Sequence, residues 1–155
     1  MFIMRIMIVS GFFNPFHTGH LDMLEQGASR ADKLVVIVNN DKQQLMKKGK
    51  IIIKQEDRMR VVQALKVADD VVMCIDDTPG QAKTLTKIAT ELYPSDQYDL
   101  TFGNGGDRDG KGTLPEDEYQ ACVDNNIAVV FDLGVEKTDS STRINQALGH
   151  ELATA

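Results

Sequence analysis

Two nearly unbroken apolar runs set the terms for this chain. Residues Phe2–Ser10 (FIMRIMIVS) end at Gly11, and Lys33–Asn39 (KLVVIVN) repeats the pattern. Neither run alternates apolar with polar. Both faces of each segment must therefore be buried, as in a parallel sheet covered on two sides. Asp70–Cys74, Tyr98–Phe102 and Ala128–Asp132 read as three further strands. Between them lie helical patterns. Thr18 to about Arg30 carries Leu21, Leu24 and Ala28 at helical spacing, and Glu56–Val67 places Met59, Val62 and Leu65 on one face. Asp77–Pro79 resembles a helix start for Gly80–Leu92; Pro115–Asn125 and Ser140–Leu148 complete the set. Asn40–Gln55 is polar and basic and receives no element. Strands alternating with helices predict one α/β domain over residues 1–155 with a parallel sheet.

Composition agrees and narrows the function. With 155 residues, 42% of them hydrophobic, the chain can bury one ordinary core. A net charge of -6 suggests a soluble cytoplasmic protein and argues against a non-specific nucleic-acid binder, which would carry a basic face. Cys74 and Cys122 are far apart in apolar surroundings and read as buried thiols, with no disulfide framework. The opening MFIMRIMIVSGFF is interrupted by Arg5, lacks a small-residue cleavage site, and is too short to cross a bilayer. It reads as a buried strand rather than a signal peptide.

Ligands of parallel α/β sheets bind beyond the carboxyl ends of the strands. The stretch GFFNPFHTGH, Gly11–His20, falls at such an end. Gly11 closes a strand and Gly19 lies at a helix start, where glycine lets a ligand approach the backbone. Unpaired N–H groups and the positive dipole end there suit a phosphate. His17 and His20 would add imidazole donors. Zinc is disfavoured, because helical zinc pairs usually sit at i, i+4 beside a glutamate, and the only other histidine is His150. A purely structural role, capping the helix and packing, is the bland alternative.

Three other segments sit at strand ends. Lys47, Lys48 and Lys50 form a basic run, ordinarily a solvated one, and Arg58 ordinarily a surface ion pair. Ser140, Ser141 and Thr142 before a helix read as an N-cap. Phe102–Glu118 supports more than one reading. Gly105-x4-Gly110-Lys111 nearly makes a Walker A loop but lacks Ser or Thr after the lysine. Asp107 to Glu118 nearly makes an EF-hand calcium loop, but Lys111 and Pro115 stand where oxygen ligands belong.

Gly11, Phe13, Asn14, His17, Gly19 and His20 resemble the G-x-F-[D/N]-x-x-H-x-G-H signature of the nucleotidyltransferase (cytidylyltransferase-like) superfamily. Ser140–Thr142 with Ile144 resemble its second signature, near the C-terminus. VNNDKQQLMKKGK and EDRMRVVQAL are similar to stretches of the adenylyltransferases that make ADP-heptose and of glycerol-3-phosphate cytidylyltransferase. Gly105-Gly106-Asp107 and Leu114-Pro115-Glu116 resemble the heptose type; VEKTD, with Lys137 as its cation, departs from the RTEG-like lead-in of the glycerol-phosphate type. Arg143 stands one residue before the basic position of the second signature, which is Asn145.

The resemblance implies a Rossmann-like three-layer α/β/α sandwich with a five-stranded parallel sheet. It implies an enzyme that moves a nucleoside monophosphate from ATP or CTP to a phosphorylated sugar or polyol and releases pyrophosphate, with Mg2+ bridging the phosphates. Its catalytic residues would be His17, His20 and Lys47. Its nucleotide-binding residues would be Gly11, Phe12, Phe13, Asn14, Gly19, Arg58, Gly106, Asp107, Ser140, Ser141 and Thr142, with Arg58 organising the lysine loop. Neither nucleic acid nor membrane would be a partner, and a homodimer is expected. A cytidylyltransferase acting on glycerol phosphate is the alternative within the family; a non-catalytic calcium- or nucleotide-binding module is the alternative outside it.

Overall fold

The structure is a computed structural model and describes residues 2–105 and 114–134. Five parallel strands form one sheet: β1 (Arg5–Gly11), β2 (Lys33–Val38), β3 (Asp70–Met73), β4 (Asp99–Gly105) and β5 (Ile127–Leu133). Their spatial order is β3-β2-β1-β4-β5. The chain builds outward from β1 to one edge, then crosses back to build the other. The switch point lies between β1 and β4, where a doubly wound sheet opens a crevice.

The continuous apolar runs are explained by two cores. Ile6, Ile8, Val35, Ile37, Leu100 and Phe102 point to one face and pack with Leu85, Ile88 and Cys122. Met7, Val9, Leu34, Val36 and Val38 point to the other and pack with Leu24 and Val62. Successive strand residues face opposite ways, so each central strand needs apolar side chains at every position. Helices α1 (Thr18–Ser29) and α3 (Gln55–Gln63) cover one face. Helices α4 (Ala82–Lys87) and α5 (Glu116–Asp124) cover the other. This is the three-layer sandwich the sequence predicts.

Two element assignments need correction. Asn40–Gln55, given no element, contains α2 (Asp41–Lys48). Only Gln43 and Gln44 are buried along it, so no apolar stripe announces it. Its ends define it instead. Asn40 and Gln43 form a reciprocal capping box, and Gly49 stops the helix in the left-handed conformation at φ 70°. The helix expected over Gly80–Leu92 is shorter and irregular. Gly80 has φ +97°, α4 begins at Ala82, and Ile88–Leu92 is a π-helical turn. No described helix is long and apolar enough to cross a membrane.

Candidate active site

The segment Gly11–His20 leaves the carboxyl end of β1 and enters α1. Phe13 turns it, with φ 55° and a ring that is 1% exposed. The ring folds back on Gly11, where an added Cβ would lie 2.7 Å from it. The room that Gly11 provides is thus taken by Phe13, not held open for a ligand. This corrects the sequence-based reason for that glycine. Asn14 is buried, and its Oδ1 accepts the backbone N–H of Ile53 at 2.8 Å. Asn14 ties the histidine loop to the segment before α3, which gives the motif's amide a structural task.

His17 is the N-cap of α1, and His20 is its third residue. The His17 Nδ1 accepts the Gly19 N–H at 3.0 Å, and the His20 Nδ1 accepts the His17 N–H at 3.3 Å. The two rings stack with centroids 3.8 Å apart, and Phe13 and Phe16 flank His20. The capping reading and the donor reading are therefore compatible. An imidazole that accepts through Nδ1 carries its proton on Nε2. The cap sets the tautomer of both rings, making each a donor at Nε2. The first turn of α1 also holds no acidic residue of its own to offset the positive end of the helix dipole.

Lys47 sits on the last turn of α2, exposed, with Nζ 4.7 Å from the centroid of the Phe12 ring. The fold thus brings the lysine segment against the histidine loop, although Phe12 and Lys47 are 35 positions apart in the chain. Arg58, expected among the nucleotide-binding residues as the organiser of the lysine loop, is not the surface ion pair of the bland reading. It is 1% exposed. Its Nε donates to Ile53 O at 2.8 Å and its Nη1 to both Phe12 O and Asn39 O at 2.6 Å. Its Nη2 pairs with Asp41 Oδ1 at 2.8 Å. One guanidinium thus joins the histidine loop, the end of β2, the start of α2 and the approach to α3. It acts on the site through those segments. A buried arginine spending its fork on carbonyls is the arrangement such a group requires.

Sequence reasoning missed a second tie. Asn40 Nδ2 donates to Cys74 O and Asp76 O, and Gln43 Nε2 donates to Thr78 O and Gly80 O, all at 2.8–2.9 Å. The next link runs from Gln81 N–H to Glu118 Oε1 at 3.1 Å. Glu118, the last ligand in the calcium reading, is 2% exposed within α5 and spends this oxygen on that backbone. The N-D-x-Q spacing of a capping box was the available signal. Both cysteines are buried as expected. Burial pushes the Cys74 thiol up, and burial with the nearby Glu118 carboxylate pushes Cys122 up to about 12, which favours the protonated thiol in both. Gly106, Asp107, Ser140, Ser141, Thr142, Arg143 and Lys137 lie outside the described residues.

Among the described residues, no group of three or more His, Cys, Asp or Glu side chains is placed to hold a metal ion. The donors gathered here are imidazole, ammonium and backbone N–H, which suit an anion.

The family model described as cytidylyltransferase-like matches residues 8–146. The bifunctional protein HldE of Koribacter versatilis is 30% identical over 119 residues, 76% of this chain and 22% of that protein. The FAD synthase of Archaeoglobus profundus is 39% identical over 87 residues, 56% of this chain and 52% of its own. The chain therefore spans about a fifth to a half of the length of these relatives. Two solved structures share the fold. The lipopolysaccharide core biosynthesis protein of Thermoplasma volcanium matches at TM-score 0.61 and 23% identity over 86% of this chain and 99% of its own. A candidate nicotinate-nucleotide adenylyltransferase of Vibrio parahaemolyticus matches at TM-score 0.64 and 21% identity over 96% and 90%. With the imidazole cap at the end of β1, the doubly wound sheet and a match over most of its length, this chain belongs to the cytidylyltransferase-like family.

Proposed function

We propose that this protein is a nucleotidyltransferase that moves a nucleoside monophosphate from ATP or CTP to a phosphorylated sugar or polyol. One observation carries the reading: two stacked imidazoles at the head of α1, each held through Nδ1 so that Nε2 bears the proton. In the reaction an oxygen of the acceptor phosphate attacks the α-phosphorus, the bond to the α,β-bridging oxygen breaks, and pyrophosphate leaves. The acceptor is already anionic at neutral pH, so no general base is required. The chain's task is positioning and charge stabilisation. His17 and His20 donate to oxygens on which negative charge grows, and Lys47 balances the phosphates. Ser140–Thr142 hold the leaving pyrophosphate. Magnesium would be held by the phosphates of the nucleotide and by water, and would supply neutralisation of their charge.

ATP is the favoured donor, since the relatives include an FAD synthase, whose product contains an adenylyl group. The same likeness supports a second acceptor class, a flavin phosphate; the sugar phosphate rests on the resemblance of Leu114-Pro115-Glu116 and its preceding loop to the heptose type. The test mixes the protein with magnesium, ATP or CTP, and a panel of sugar, polyol and flavin phosphates, and measures pyrophosphate. ATP with one acceptor class is expected to release it. No pyrophosphate under any combination, together with unchanged nucleotide affinity in His17→Ala, would overturn the proposal.

A further inference from the structure

We infer that Phe12 is a positioning residue that seats the Lys47 ammonium beside the histidine loop. The Lys47 Nζ lies 4.7 Å from the Phe12 ring centroid, within the range of a cation–π contact. The contact gives the ammonium on this long side chain an aromatic face to rest on. The seat is built at both ends from one point. Arg58 Nη1 holds the Phe12 carbonyl and the Asn39 carbonyl, each at 2.6 Å, while its Nη2 holds Asp41 at the start of α2. The backbone that carries the ring and the helix that carries the lysine are therefore fixed relative to each other by a buried guanidinium. The ammonium waits at the loop before phosphate arrives, so less side-chain freedom is lost when it engages. Phe12 was expected to meet the nucleotide; here its ring meets the lysine. The inference rests on the proposed role of Lys47 in balancing phosphate charge.

The test has two readouts. In proton NMR of the full chain, the Lys47 ε-methylene signals should be shifted upfield by the ring. Phe12→Leu should abolish that shift and Phe12→Tyr should keep it. In the pyrophosphate assay with ATP, Phe12→Leu should lower kcat/KM about two- to fivefold, the size of an exposed cation–π contact. Phe12→Tyr should restore it, and Phe12→Leu added to Lys47→Ala should have no further effect. An unshifted Lys47 signal overturns the seat whether or not the protein is active. An equal loss from Phe12→Leu with and without Lys47 also overturns it, since the ring would then act by itself. A shifted signal with Lys47→Ala fully active keeps the seat but removes its catalytic purpose, and this outcome counts against the phosphate role of Lys47.

Discussion

Two helices begin at the carboxyl ends of neighbouring strands, and both begin with a capping box. At α2 the box is built from amides: Asn40 Oδ1 accepts Gln43 N–H, and Gln43 Oε1 accepts Asn40 N–H. At α1 it is built from imidazoles, His17 and His20. The hydrogen-bonding logic is the same, and the side chains chosen are not. Asn and Gln spend their second group on the fold, donating to the loop between β3 and α4. An imidazole engaged through Nδ1 keeps a proton on Nε2, aimed away from the cap. Histidine is also not among the residues that helix starts prefer. One box is what a helix requires; the other does that work with a residue chosen for something else.

The sharpest way to break this comparison is to remove the residue that links its two halves. Arg58→Met strips donors from Ile53, Phe12 and Asn39 and leaves Asp41 without its partner. Loss of one member of a mostly buried pair predicts destabilisation on the order of 3–5 kcal/mol, read by urea unfolding. A smaller effect would mean the two boxes stand independently.

Next in size is His17→Asn, which makes the first box resemble the second. Asn caps well, so stability should change by less than about 1 kcal/mol. Loss of one preorganised donor should nevertheless slow pyrophosphate release about 100- to 1000-fold. Parallel losses of stability and rate would show that His17 is only a cap.

The reverse exchange, Asn40→His, keeps a possible Nδ1 acceptor but forfeits the amide donors to Cys74 O and Asp76 O. Leaving these partly buried carbonyls without those donors predicts a cost of about 1–3 kcal/mol by thermal or urea unfolding. An unchanged protein would mean that the second box is not structural.

The effect that is smallest near neutral pH is alkaline and lies outside both boxes. Cys122 is raised to about 12 in the folded chain, chiefly by burial. Between the ordinary thiol range and that value the unfolded chain loses its proton first. Folding stability should therefore fall as pH rises through this window. Cys122→Ala should flatten that part of the stability curve, and an unchanged slope would refute the assignment.

Much of this was legible in one dimension. The strands β1 and β2 were visible because a strand buried on two faces has few places for polar side chains, and their β-branched, short runs favour strand over buried helix. The histidine loop was visible because its spacing is specific. The helix α2 was not, since periodicity reports burial and this helix buries almost nothing; its caps carry it. The burial of Arg58 was not legible for a related reason. Sequence shows a charge among charges, and the usual fate of such an arginine is the surface. Its burial depends on three carbonyls that arrive from Phe12, Asn39 and Ile53, and no local pattern encodes that convergence.

The sequence by itself therefore determined the class of fold, the strand ends at which chemistry could collect, and the histidine pair, because periodicity and local spacing are properties of neighbours in the chain. Only the tertiary structure decided that Phe13, rather than a ligand, fills the space at Gly11, that Lys47 rests on Phe12, and that the two imidazoles cap their helix through Nδ1. Each is a contact or an orientation in space. A chain reveals which residues are near one another in sequence, and the sheet decides which ones meet.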